Sequence, residues 1–467
     1  MIAPRATPDP LPSREECDEL LERTLRVSRA DGAEASLAAG VSVLTAFGAG
    51  ELRHLIREES RMLSLAAVFD RRVVRVSTSA TGTDAIRALA RRAEAIARVP
   101  QRSRPQGGPT SSHMEPDLDI DLAGPAGPAA ESKFDPATAA NHHAAQAQDV
   151  AGVLSLAGMR GLEAAGYVLS DVSMLAIRNT AGLSAFHRGT EAEAAITMRK
   201  RAAGVETSGY GTAAAWRAGE IALEEIAASV ANKALWGGPP RPVPPGSWTV
   251  VLEPLAVAEL LFFLAEGFNA RSVQEEDSFL TGKVGQSLFS PLLTLADDVS
   301  HPLQRGIPFD GEGWPRSAVT LVDRGRVAAL VSDRATAARM GTVPTGHGFA
   351  IPNPEGAMPL NLVVQTGPHT NESLVAGCER GILVTRFWYC RPVDPGTLTV
   401  TGLTRDGTFL IEEGRVTGRL ADLRWNQSLL EAFARLDAVG DRPAVVPMEG
   451  MTCVTPALRI PGFRFVS

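Results

Sequence analysis

Carboxylates, histidines and cysteines are the side chains here that could do more than pack, and their spacing limits what each could do. The densest acidic group is Asp297-Asp298 with Asp310-Gly311-Glu312 shortly after. Asp and Gly together favour turns, because a short carboxylate bonds nearby backbone N–H groups and glycine accepts a left-handed backbone. A divalent-cation site is the second reading of the same residues. Glu259 and Glu266 lie on one apolar stretch, Pro254–Phe268. In a helix they share a stripe but stand about 10 Å apart along the axis, too far to share a proton or a metal. They are expected at a cavity edge or interface, with Glu266 also weighed as a leftover catalytic acid. His142-His143 diverge on a helix and read as surface residues. His301, His347 and His369 sit in Pro- and Gly-rich loops whose spacing matches no ligand pattern, so structural or solvated roles are expected. Cys17, Cys378, Cys390 and Cys453 never form a C-x-x-C pair and read as buried free thiols, not as a disulfide framework or a zinc ribbon.

Other chemistries lack their signatures. There is no G-x-S-x-G elbow, no Walker A loop and no G-x-G-x-x-G after a strand, so serine hydrolase, NTPase and dinucleotide readings have no support. The 467 residues carry 46 Lys+Arg against 53 Asp+Glu, a formal charge of −7, with only Lys133, Lys200, Lys233 and Lys283 among the lysines. An acidic chain without a basic block makes direct nucleic-acid binding unexpected. The start, MIAPRATPDPLPSREE, has no apolar core of a signal peptide. The uncharged stretch Ala35–Gly50 is shorter than the roughly 20 residues a membrane helix needs. A cytoplasmic protein without membrane contact is expected.

These residues must be positioned by an α+β chain of two parts. Residues 1–12 read as a flexible tail and 13–236 as an N-terminal domain of strands and helices. Ser13 caps a helix to Ser28, with Leu20, Leu21 and Leu25 at helical spacing. Period-2 alternation marks strands at Ala35–Phe47, Arg61–Phe69 and Val73–Ser77, with the turn Gly48-Ala49-Gly50 between the first two. Thr83–Val99 reads as an amphipathic helix burying Ile86, Leu89, Ala93 and Ile96. A Pro/Gly/Ser-rich insertion at 100–134 is disordered-like in composition. Asp135-Pro136 opens a helix to about Leu156, followed by strands at Tyr167–Ile177, Gly182–Arg188 and Glu193–Arg199 and a helix at Ile221–Leu235. A Pro/Gly linker, 237–246, leads to a β-rich, barrel- or sandwich-like domain over 247–467. Its one strongly apolar helix is Pro254–Phe268. Strands are expected at Ser317–Asp323, Val327–Ser332, Asn361–Gln365, Gly381–Trp388, Leu398–Leu403, Thr408–Glu412 and Arg415–Leu420.

The second half carries a resemblance. Ser278-Phe279-Leu280-Thr281-Gly282-Lys283-Val284-Gly285-Gln286, then Leu295-Ala296-Asp297-Asp298 with Pro308-Phe309-Asp310-Gly311-Glu312-Gly313, follow in a fixed order. Thr345-Gly346, Pro359-Leu360-Asn361-Leu362, Gly381-Ile382-Leu383-Val384 and Gly407–Gly414 continue it. This ordered set resembles the TldD/PmbA family of gyrase modulators and metallopeptidases. The resemblance implies a zinc-dependent peptidase architecture in which a His-Glu-x-x-x-His helix precedes the Ser-Phe segment. Counting back from Ser278–Gly282, that motif falls on Leu261–Glu266. Leu261 stands where the first histidine would be, Phe262 at the base and Glu266 at the second histidine, and no His in the chain is followed by Glu. The family's zinc-binding cysteine lies further upstream of the corresponding proline than Cys453 does, so Cys453 reads as a packed thiol.

The resemblance therefore implies a TldE/PmbA-type subunit without catalytic, cofactor or metal residues of its own. A TldD-like metallopeptidase would be its heterodimeric partner, holding the zinc and acting on peptides. The alternatives are a stand-alone enzyme on the same fold with metal-independent chemistry in small-molecule biosynthesis, and a regulatory binding protein.

Overall fold

The computed structural model describes residues 11–99, 122–125, 132–202, 204–448 and 450–467. Most of the predicted insertion at 100–134 lies outside the described residues. The first helix, Arg14–Val27, starts at a reciprocal cap: Ser13 Oγ accepts the Glu16 N–H, and the Glu16 carboxylate accepts the Ser13 N–H. It packs with helix Thr83–Ala97 against an antiparallel six-stranded sheet. In spatial order this sheet runs Arg72–Thr78, Glu51–Phe69, Gly32–Gly48, Glu163–Asn179, Ser184–Ala202 and Val205–Ala215. The helices His143–Met159 and Leu223–Leu235 cover its other end, burying Val150, Val153, Ala227 and Val230 against Ile196 and Met198.

The C-terminal part holds two sheets. One runs Arg326–Val327, Val319–Asp323, Leu295–Asp297, Asn361–Val364, Met451–Thr455 and Ala444–Met448. The other runs Arg380–Asp394, Gly246–Leu252, Leu458–Val466, Arg424–Ser428, Thr399–Glu412 and Arg415–Arg419. One core spans both sheets and contains the helix Pro254–Glu266. That helix is apolar on nearly every side, as only a helix enclosed by other elements can be. The fold class is α+β with a β-rich C-terminal part, as the sequence predicts.

Several boundaries differ from the expectation. The helix predicted from Asp135 to Leu156 is two, Pro136–Ala139 and His143–Met159, because His142 starts a new helix by accepting the Ala145 N–H. Gly182–Arg188 and Glu193–Arg199 belong to one strand, Ser184–Ala202; Gly189 within it leaves room for the ring of His187. Leu398–Leu403 and Thr408–Glu412 likewise merge into Thr399–Glu412. Of Val327–Ser332 only Val327 is in a strand. Ile96 is exposed and Ala90 is buried in its place, a rotation of the predicted helix face by a fraction of a turn. The strand Glu51–Phe69 starts ten residues before the predicted Arg61, since Glu51–Met62 is exposed on both faces and shows no alternation.

Cations sew the N-terminal sheet to the C-terminal part. Lys133 Nζ donates to the carbonyls of Val299, His301 and Gln304. Arg75 donates to the Ile351 carbonyl and pairs with Glu34 at 3.0 Å. Arg419 donates to the carbonyls of Lys233, Ser208 and Trp236, and Lys233 itself pairs with Glu253 at 2.5 Å. Two of the four lysines are thus used inside the molecule and do not form a charged surface.

Candidate functional site

The helix Pro254–Glu266 begins with Pro254 in its first turn, where a missing N–H costs nothing. Leu261 is fully buried in the core, Phe262 is half-buried against the same core, and Glu266 is exposed at the C-terminal end. Partial desolvation moves the Glu266 carboxyl above its ordinary range. Glu259 faces elsewhere: its carboxylate accepts the Phe387 N–H at 2.5 Å, and burial pushes its pKa up to about 8 against that bond and the nearby Arg386. The two carboxylates do not meet. Zinc needs imidazole, thiolate or carboxylate donors converging on one point, and the first two motif positions here offer only hydrocarbon. The residues do not fit the metal.

The helix packs against the strands Ala444–Met448 and Met451–Thr455, whose Met448, Met451 and Thr452 also line a cavity of about 470 Å³. The opposite wall is the N-terminal sheet, through Leu175, Glu191 and Glu193. Arg305 enters between them, 2.9 Å from Glu191 and 2.5 Å from Glu193. Glu191 and Glu193 alternate along one strand and so project to one face. Arg316 and Asp310 complete the polar wall. Among the described residues the Arg316 Nε and Nη1 have no hydrogen-bond acceptor, although Asp297 and Asp310 act on its charge.

The predicted acidic cluster is turn architecture around this cavity. Asp310 accepts the N–H groups of Glu312 and Trp314 at 2.9 Å each and of Gly348 at 2.8 Å. Three aligned donors favour its ionised form, so the proton of the pair resides on Glu312, whose pKa is raised to about 8 by burial and by the Asp310 charge. Asp298 accepts the Ser300 N–H in a turn of its own. Asp297 is fully buried, with His347 Nε2 3.0 Å from Oδ1 and the Asn361 N–H donating to Oδ2 at 2.8 Å. Among the described residues His347 Nε2 has no acceptor in hydrogen-bond alignment, so it meets Asp297 by proximity and not by an aligned hydrogen bond. Burial pushes Asp297 up, but His347, Arg316 and the Asn361 N–H together hold it below the ordinary carboxylate range.

The remaining histidines are scattered. His142 is an exposed helix cap, His143 is half-buried near Thr45, and His301 accepts the Leu303 N–H. His369 lies in a bridge to Gly440. The cysteines are free; Cys17, Cys378 and Cys453 are buried and Cys390 is half-buried. Among the described residues no group of three or more His, Cys, Asp or Glu is placed to hold a metal ion. Glu191, Glu193, Arg305 and Arg316 were not singled out by sequence. The Glu-x-Glu alternation at Glu191 and Glu193, next to the apolar run Ala194–Ile196, is the signal that could have found the first two.

Thr345-Gly346 positions His347, whose Nδ1 lies 2.9 Å from Thr345 Oγ1. Gly346 has φ +76°, and a Cβ there would stand 2.1 Å from the Pro315 carbonyl oxygen. Gly346→Ala therefore combines left-handed strain with a backbone clash. It is expected to cost at least about 2–3 kcal/mol in urea unfolding.

The chain resembles known proteins in both sequence and fold. Residues 245–467 match the family model of the PmbA/TldA metallopeptidase C-terminal domain. A metalloprotease TldD homolog of Haemophilus influenzae is 26% identical over 186 residues, 38% of this chain and 37% of that protein. A metalloprotease of Methanothermobacter thermautotrophicus is 24% identical over 220 residues, 47% of this chain and 48% of its own length. The chain thus spans about half the length of the curated relatives it matches, or less. The crystal structure of TldE from Thermococcus kodakarensis superposes with a TM-score of 0.84 over 96% of this chain and 99% of that one, at 19% identity. Among the described residues no helix is long and apolar enough to cross a membrane. Residues 245–467 are thus similar to the PmbA/TldA metallopeptidase C-terminal domain, and the fold of the chain is that of the TldE structure.

Proposed function

We propose that this chain is the non-metal-binding subunit of a heteromeric TldD/TldE-like peptidase, with the zinc chemistry supplied by a TldD-like partner. The observation that carries the reading is the hydrocarbon pair Leu261 and Phe262, one sealed in the core and one packed on it, on the helix where the resemblance expects the metal ligand and the base. A carboxylate speeds hydrolysis only within hydrogen-bond reach of the reacting water. Glu266 stands at the exposed helix end with no histidine on its helix to help position a metal-bound water. What this chain contributes is surface: charged cavity walls and strand edges that orient an extended peptide by main-chain hydrogen bonds.

Peptide hydrolysis should require a TldD-like protein with its His-Glu-x-x-x-His intact. The purified chain alone should show no hydrolysis and, by elemental analysis, no stoichiometric zinc. Mutating the partner's motif Glu should abolish activity, while Glu266→Ala here leaves most of it. Hydrolysis by the chain alone, silenced by Glu266→Ala, would establish the stand-alone enzyme instead.

A further inference from the structure

We propose that a cavity on the face of the N-terminal sheet toward Ile307 is a binding site for a phenol group, held by a hydrogen bond to His187. The strand register lays out the site. Across four strands runs the row Ser60–Gly40–Ser173–Gly189, each residue directly opposite the next. The neighbouring row on the same face is Met62–Ala38–Leu175–His187. Two glycines and two serines make the first row a trough across the sheet. Ile307 of the C-terminal part faces it, and the cavity between them holds about 380 Å³, in the range of small-ligand pockets. The trough ends at His187, whose ring lies over Gly189: a Cβ there would stand 2.7 Å from His187 Nε2.

His187 is the group that calls for a ligand. It is 2% exposed, and its Nδ1 meets Ser132 Oγ at 3.0 Å. Among the described residues its Nε2, at the cavity end, has no hydrogen-bond partner. A buried polar nitrogen left unpaired is costly, and a ligand that pairs it removes that cost. Burial lowers the His187 pKa to about 4, so the ring is neutral at neutral pH. Arg61 also borders the cavity, but it stands in the row Arg61–Ala39–Met174, which faces the other side of the sheet, toward Cys17. A charged ligand group would find no counter-charge here, and burying it would be unfavourable.

A neutral hydroxyl fits His187 whichever ring nitrogen carries the proton, because it both donates and accepts. The rest of the cavity suits an aromatic ring. Gly40 leaves the floor flat, Leu175 and Ile307 supply hydrocarbon, and Met62 at the mouth supplies a thioether. A phenol can come from a free small molecule or from a tyrosine side chain. Leu175 and Ile307 also line the polar cavity of Glu191 and Arg305, so the two cavities meet there. Leu175 is directly opposite His187 on the neighbouring strand, and a ring entering over it brings its hydroxyl toward Nε2. A peptide tyrosine would then keep its main chain in the polar cavity. That source rests on the subunit reading above; the phenol site itself does not.

Calorimetric titration of the full chain, with no partner and no hydrolysis, tests this. p-Cresol should bind at least about tenfold more tightly than toluene, which has the same ring and methyl group without the hydroxyl. His187→Phe should remove that preference. Ala38→Leu, at an exposed position lining the cavity, should weaken both ligands at least about tenfold by filling the space. Equal affinity for p-cresol and toluene, binding of neither, or binding indifferent to Ala38→Leu would overturn the proposal. N-acetyltyrosinamide binding as tightly as p-cresol, with N-acetylphenylalaninamide far weaker, assigns the site to a peptide tyrosine. p-Cresol binding with N-acetyltyrosinamide excluded assigns it to a free phenol. Failure of the subunit reading is seen separately, in hydrolysis assays with the TldD-like partner.

Discussion

Arg305→Ala is expected to lower the unfolding free energy by about 3 kcal/mol, read as a lower urea midpoint at unchanged slope. Arg305 is 7% exposed and makes three polar contacts: with Glu191, with Glu193, and through Nε with Thr452 Oγ1 at 3.3 Å. Its removal leaves two carboxylates side by side on one strand at the cavity wall, without the cation that bridges them. Breaking a fully buried pair costs about 3–5 kcal/mol. The lower end applies because the Glu191 side chain is 37% exposed and water in the cavity can replace part of the lost solvation. Glu191→Gln should cost far less, since it leaves Arg305 paired with Glu193. Equal costs for the two substitutions would mean that Arg305 acts by packing alone.

The contrast between what sequence showed and what it hid follows from burial. The helix Pro254–Glu266 was legible because a run of apolar residues on every face has no other use in a globular chain. The first helix was legible from its cap. Asp310 was legible as a turn residue, and the structure adds the three N–H groups that occupy it. The cavity was not legible, because its walls come from segments more than a hundred residues apart, such as Glu193 and Arg305. The edge Glu51–Met62 was missed for a different reason. Strand reading depends on one face being buried, and here both faces meet solvent, so a charged mixture stands where alternation would be. Merged strands such as Ser184–Ala202 were split at their polar centre, His187-Arg188-Gly189-Thr190-Glu191, where buried polar groups interrupt the pattern.

The second large effect is on the pH dependence of stability, and its sign is opposite to that of an ordinary ion-paired acid. Glu259 and Glu312 have folded pKa values raised from 4.5 to about 8, and Glu34 is raised to about 7 because burial outweighs its pair with Arg75. A raised acid is protonated in the folded chain and ionised in the unfolded one between those values. The unfolded state then binds fewer protons, so stability falls as pH rises from about 4.5 to about 8 and is level beyond. Asp297 works the other way: its depressed folded pKa contributes stability that is lost as pH falls through the acid range. The chain should therefore be most stable in mildly acidic solution, near pH 5. Glu259→Gln isolates the contribution of one carboxyl, since the amide oxygen can still accept the Phe387 N–H while the ionisation is removed. At pH 5 it should match the wild type. At pH 8 it should be more stable by a few kcal/mol, because each pH unit between the unfolded and folded pKa is worth about 1.4 kcal/mol. Glu312→Gln should act in the same direction, keeping an acceptor for the Arg334 N–H. A Glu259→Gln variant less stable than wild type at pH 8 would show that the carboxylate is ionised there and held by Arg386.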